Sequence, residues 1–146
     1  MIFSIKITSE DGEVIEIGKD GKEEEKDLIK DIVLHMDTVN EDSRNKSNAM
    51  LAKIQIIGAI DPEIADELLN LFNWSKDLEE KKWYRNIEIK VKTSMGSVFR
   101  TYVFPKVFIV DYLEFYTTES DTNKMVDQFQ LYLTQKENNF KNIEAF

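Results

Sequence analysis

The stretch Tyr84–Tyr112, YRNIEIKVKTSMGSVFRTYVFPKVFIVDY, decides the fold class. Ile87, Ile89 and Val91 alternate with Glu88, Lys90 and Lys92, a period of two that fits a strand with one buried face. Ser94-Met95-Gly96-Ser97 supplies turn chemistry, Val98 to Phe104 alternates again, and Pro105, which cannot donate to a sheet ladder, interrupts. An antiparallel hairpin is predicted here. Beyond it, Val107–Thr117 (VFIVDYLEFYT) and Met125–Gln135 (MVDQFQLYLTQ) read as two long strands joined by the polar connection Thr118–Lys124. In the second of them Phe129, Leu131 and Leu133 share one face, and Gln128, Gln130 and Thr134 share the other.

Working back toward the N-terminus, Met1–Thr8 alternates Ile2, Ser4 and Lys6 with Phe3, Ile5 and Ile7. Ser9-Glu10-Asp11-Gly12 turns, and Val14, Ile15 and Ile17 begin the return strand of a hairpin. Gly18–Lys26 (GKDGKEEEK) has no apolar residue and reads as an exposed loop, because its lysines offset its carboxylates and no cation-ligand spacing is present. Leu28–Met36 threads as a strand with Ile29, Asp31, Val33 and His35 on one face, or as a short helix with Leu28, Ile32 and His35 or Met36; the strand is preferred. Asn40–Asn48 contains no hydrophobic residue. Met50–Ile60 is again a strand, with Gly58 permitting a bulge or a close contact.

Only Asp61-Pro62 announces a helix, since aspartate caps free N–H groups and proline at the first helical position loses no hydrogen bond. Ile64, Leu68, Leu71 and Phe72, widened by Ala65 and Leu69, form its apolar stripe over about residues 62–74, with Asp66, Glu67 and Asn70 outward. Lys76–Lys82 continues or frays the helix before Trp83 returns to the core. The expected fold is therefore α+β and mainly β: an antiparallel β-sandwich or small β-barrel with one flanking helix. Residues 1–136 form a single domain, and 137–146 are a C-terminal extension in which Phe140, Ile143 and Phe146 recur at helical spacing.

The 146 residues fit one core. With 28 acidic against 19 basic residues the net charge is -9, which repels a phosphate backbone and argues against nucleic-acid binding. The chain has no cysteine, so disulfides, thiolate nucleophiles and cysteine-type zinc sites are excluded. MIFSIKIT is too short and polar for a signal peptide, and no run approaches a membrane span; synthesis in the cytoplasm without membrane insertion is expected.

His35, the single histidine, lacks a second histidine or a cysteine with which to build a metal or nucleophile site. Asp111 and Glu114 lie three apart on a strand and face opposite sides, so they cannot act as a glycosidase pair. The five glycines match no phosphate-binding pattern. Phe99, Tyr102, Phe104, Phe108, Tyr112, Phe115 and Tyr116 fall on both faces of neighbouring strands and read as core plus interface. No enzyme and no cofactor is indicated.

The segments YRNIEIKV, RTYVFPKVFIVDY and FQLYLTQK, with one inserted helix and a polar loop between early strands, resemble the tube-forming proteins of contractile injection systems. These are the phage-type tail tube proteins and the Hcp proteins of type VI secretion. The resemblance spans about Leu28 to Lys136. It implies a structural subunit that forms hexameric rings stacking into a hollow tube, with itself and the sheath, baseplate or spike proteins of the machine as partners, as part of an assembled tail or injection particle that contraction can deliver outside the cell. By position, Thr38–Ala49 would be the loop reaching a neighbouring subunit. The subunit-contact residues would be Asp37, Asp42, Arg44, Asn45 and Lys46, with Phe140 and Phe146 in the tail; Gln128, Gln130 and Thr134 would face the lumen. The rival reading is a monomeric acidic binding, adaptor or immunity-type module that meets a basic partner.

Overall fold

The computed structural model describes residues 1–18, 27–38, 44, 50–118 and 127–146. The charged run after Gly18, nearly all of the polar segment after Thr38 and the connection after Thr118 lie outside them. The N-terminal hairpin forms as expected: β1 (Ile2–Ser9) and β2 (Val14–Ile17) pair antiparallel, with Ile5 opposite Ile17 and Ile7 opposite Ile15. Next come β3 (Ile29–Thr38) and β4 (Met50–Ala59), also antiparallel. A register shift between Ile29 and Asp31 corrects the alternation expected for β3. The bulge turns Ile29 into the core while Val33 stays 51% exposed, so the two do not share a face. Gly58 sits opposite this bulge, where a Cβ would lie 2.5 Å from the Phe129 ring and 2.8 Å from the Leu28 carbonyl oxygen. Only glycine permits that approach.

Asp61 Oδ1 accepts the Glu63 N–H at 2.9 Å and starts a 3-10 turn, Pro62–Ile64, that leads into α1 (Ala65–Ser75). The buried face of this unit is Ile64, Leu68, Leu71 and Trp74. Leu69 and Phe72, expected on the buried stripe, are 56% and 48% exposed. Trp74 takes their place because its indole N–H donates to the Trp83 carbonyl at 2.9 Å, which fixes a large ring inward. The helix ends at Ser75, and Trp83 remains at the surface.

The remaining strands are β5 (Arg85–Lys92), β6 (Val98–Phe115), β7 (Gln128–Gln135) and β8 (Glu144–Ala145). The interruption expected at Pro105 does not occur. β6 runs through it for 18 residues, because Pro105 and Lys106 together oppose the one residue Asn86, a bulge in which a missing N–H costs little. Side-chain amides replace the lost ladder there: Lys106 N–H donates to Asn86 Oδ1 at 3.1 Å, and Gln135 Nε2 donates to the Pro105 carbonyl at 2.9 Å. Lys106 takes φ 54°, which bends the strand.

The strand order is β2-β1-β5-β6-β7-β4-β3, with β8 against β6, all antiparallel. The sheet does not close into a barrel. Bent β6 instead belongs to two half-sheets, pairing with β5 through its first half and with β7 through its second. Ile5, Ile7, Ile15, Ile87, Ile89 and Phe104 come from one half and Ile54, Ile56, Phe129, Leu131 and Leu133 from the other, forming a single core. β1 approaches β3 on one flank, while α1 packs on β2 and β6 on the other. Each fully buried Ile, Leu or Phe contributes roughly 1.5–3 kcal/mol of transfer free energy. The tail forms no helix: a 3-10 turn at Phe140–Asn142 leads into β8, and Phe146 and Thr101 exchange backbone hydrogen bonds at 2.9 and 2.6 Å.

Candidate assembly surfaces

The face of the second half-sheet that points away from the core can be read from register. Across β3, β4, β7 and β6, successive rows are Asp31, Ile57, Gln130 and Leu113; then Val33, Gln55, Tyr132 and Asp111; then His35, Lys53, Thr134 and Phe108. Gln128 lies between Ala59 and Phe115 in the row before them. Gln128, Gln130 and Thr134 thus share a half-exposed face, because strand periodicity puts Phe129, Leu131 and Leu133 on the other side. Gln55 Nε2 donates to the Tyr132 hydroxyl at 3.1 Å, which donates to Gln130 Oε1 at 2.8 Å. This polar ladder, centred on Tyr132, was not singled out from the sequence, although its period of two is visible in QFQLYLTQ.

His35 and Asp111 both line a shallow hollow of about 330 Å³ on this face. Among the described residues no three of His, Cys, Asp and Glu are grouped to hold a metal ion. Asp111 and Glu114 do point to opposite faces: Asp111 stands across from half-exposed Tyr132, and Glu114 across from buried Phe129.

Of the expected contact residues, Asp42, Asn45 and Lys46 lie outside the described residues. Asp37, at the end of β3, forms an ion pair with Lys53 of β4, Nζ to Oδ2 2.8 Å. That hydrogen bond, with the charges of Lys53 and His35, holds the Asp37 carboxyl below the usual aspartate range against a smaller opposing effect of desolvation. Arg44 is exposed. Phe140 is half-buried, whereas the Phe146 side chain is largely exposed beside the first half of β6. The structure therefore brings Gln130, Thr134, His35 and Lys53 onto one face and leaves the two tail aromatics elsewhere.

A second surface lies along α1 and the second half of β6. Near the start of the helix, Glu114 accepts hydrogen bonds from the Tyr112 and Tyr116 hydroxyls, each at 2.7 Å. Burial, then the hydrogen bond to Glu114 and its charge, push the Tyr112 phenol well above the usual tyrosine range. The bond to Glu114, chiefly, raises Tyr116 as well. The spacing Tyr112, Glu114, Tyr116 puts all three on one strand face and was legible as such. At the other end of α1, Trp83 Nε1 donates to the Asp77 carbonyl at 2.6 Å, and Arg85 stacks on Trp74 at 4.9 Å from its ring centroid.

Solved structures share this fold over nearly their full length. Hcp1 of Escherichia coli EAEC 042 matches with a TM-score of 0.63, covering 100% of this chain and 98% of that one at 10% identity. The chain carries the Hcp-like fold. Hcp1 of Salmonella typhimurium gives a TM-score of 0.59 with both chains covered completely at 10% identity. A chain of the anti-feeding prophage baseplate, solved with six-fold symmetry, gives 0.52, with 99% and 92% coverage at 13% identity. No family model matches the sequence, and no curated protein does. The Hcp-like fold is thus carried here by a sequence only 10–13% identical to those of these structures. No helix among the described residues is long and apolar enough to cross a membrane.

Proposed function

We propose that the protein is a non-enzymatic structural subunit that assembles into homo-hexameric rings, and that the rings stack into the hollow inner tube of a contractile injection system or phage-like tail. The observation that carries this reading is the Hcp-like fold over the whole of both chains, with a baseplate chain among the matches. Sheet physics supports it. β3 is a terminal strand of ten residues with Val33 and Met36 exposed, and such an edge invites pairing unless another subunit covers it.

In this reading Gln128, Gln130 and Thr134 face the lumen, and Asp37, Asp42, Arg44, Asn45 and Lys46 contact a neighbouring subunit or ring. Phe140 and Phe146 would add a contact at the tail. Sheath, baseplate or spike proteins of the same machine are the other partners. Size-exclusion chromatography with light scattering, followed by negative-stain microscopy, tests it: rings or tubes are expected, and a strict monomer at high concentration overturns it. Deleting residues 40–48 should leave a folded subunit that no longer stacks.

The acidic surface along α1 favours a second reading, a monomeric adaptor or immunity-type module. That reading requires a monomer that binds a basic protein.

A further inference from the structure

We propose that the groove between α1 and the second half of β6 is a docking site for a cationic, partly apolar segment of a different protein, with an arginine or lysine side chain entering the cleft beside Trp74 and Trp83. The proposal rests on this surface alone and requires that ring assembly leave the groove open.

Two clefts occupy the groove. One, of about 380 Å³, is lined by Trp74, Trp83, Phe108 and Val110 with Asp77 at its rim. The other, of about 420 Å³, is lined by Leu69, Phe72 and Tyr116 with Asp61, Glu114 and Asp127. Among the described residues the linings hold four carboxylates and no lysine, arginine or histidine. Their apolar walls are also left open: Leu69, Phe72, Trp83, Val110 and Tyr116 are all exposed. A monomer gains nothing by presenting this much apolar surface in one strip.

The chemistry of the walls selects the occupant. Both indole N–H groups are taken by backbone carbonyls, so Trp74 and Trp83 have only their ring faces and edges to offer. Ring faces attract cations; Arg85 already covers Trp74 and Lys76 lies over Phe72 at 5.9 Å, so the exposed ring of Trp83 is the indole left for an incoming cation. The end of α1 at Ser75 adds the negative pole of the helix to the first cleft. Asp77 Oδ1 accepts the Glu79 N–H at 3.0 Å, and Asp127 Oδ1 accepts the Thr117 N–H at 2.8 Å, so both carboxylates are held in place. The carboxylates gathered in these linings favour a basic partner over an acidic one.

The two tryptophans of the chain both line the first cleft, so intrinsic fluorescence reports its occupancy directly. The full chain is titrated with a short peptide alternating arginine and leucine, and with the same peptide carrying glutamate for arginine. A saturable emission change with the basic peptide only is expected, weakened by added salt. Asp77→Asn and Asp127→Asn, which keep an acceptor oxygen for Glu79 and Thr117, should each weaken binding by about 10-fold, while Glu137→Gln in the tail leaves it unchanged. Circular dichroism and the melting temperature check that each variant is folded. Equal binding of the acidic peptide, or no effect of either aspartate variant, overturns the proposal. An emission change that follows protein concentration without peptide also overturns it, because the groove is then filled by a second copy.

Discussion

Between Val98 and Phe104, β6 is hydrogen-bonded to β5 on one side and, at Tyr102 and Val103, to β8 on the other. Between Phe108 and Phe115 only β7 pairs with it, and no described strand meets its second edge, which lies toward α1 and the acidic groove. Both halves put apolar side chains into the same core, and Pro105-Lys106 marks the changeover. The difference teaches that burial and edge protection are separate problems in this fold. The chain solves the first for both halves, and the second by its own backbone for one half alone.

The largest test of that comparison concerns the shared core. Phe104 belongs to the doubly paired half and Phe129 stands against the singly paired one, and both are completely buried. Phe104→Ala and Phe129→Ala should each cost about 3–5 kcal/mol. Urea unfolding followed by tryptophan fluorescence and by circular dichroism should give one coincident transition for each. Two separated transitions would break the claim that the half-sheets fold as a unit.

A smaller effect is expected at the tail. Truncation after Asn142 removes Ile143, the β8 pairing and the two Thr101–Phe146 hydrogen bonds, for a loss of about 1–3 kcal/mol. Hydrogen exchange at the Thr101 amide should accelerate strongly while the amides of β7 paired with β4 keep their relative order. Unchanged exchange at Thr101 would mean that the first half of β6 does not depend on the tail for its second edge.

Smaller again is the helix that flanks the open half. Asp61→Ala removes the cap on Glu63 N–H and should lower stability by about 1 kcal/mol. The urea midpoint should fall with an unchanged slope, since α1 stays anchored through Leu68, Leu71 and Trp74.

The same contrast explains what could be read in advance. Alternation exposed β1, β2, β4, β5 and β7, and Asp61-Pro62 marked the helix start, because each depends on neighbours within a few residues. The continuity of β6 through Pro105 was hidden: it depends on Asn86 and Gln135 supplying side-chain bonds from other strands. The helix stripe was misjudged at Leu69 and Phe72 because the inward pull on Trp74 comes from the Trp83 carbonyl beyond the helix. Phe140, Ile143 and Phe146 have helical spacing, yet the open backbone groups of Tyr102 and Val103 recruit the tail as a strand. On the polar face, Gln128, Gln130 and Thr134 followed from period two alone, whereas His35, Lys53 and Asp111 joined them only through long-range register. The expected contacts Asp42, Asn45 and Lys46 lie in a segment whose sequence carries no period, so composition was the only guide there.

The smallest predicted effect is at the far edge, where among the described residues β3 pairs only with β4 and Asp37 bonds to Lys53 of that strand. The folded-state Asp37 carboxyl titrates below its ordinary value, chiefly through the hydrogen bond from Lys53. A carboxyl lowered on folding binds its proton more readily in the unfolded chain, so its contribution to stability is complete above the unfolded pKa and disappears as pH falls through the folded one. Carbon-detected NMR of the Asp37 side chain should therefore show an inflection below the usual aspartate range, moving up toward it in Lys53→Ala. At pH 7 Lys53→Ala should barely change the melting temperature, because both partners reach solvent and exposed pairs of this kind contribute little. An inflection at the ordinary aspartate value in the unmodified chain would mean that the pair does not persist in solution, and the end of β3 would then lack that side-chain tie to β4.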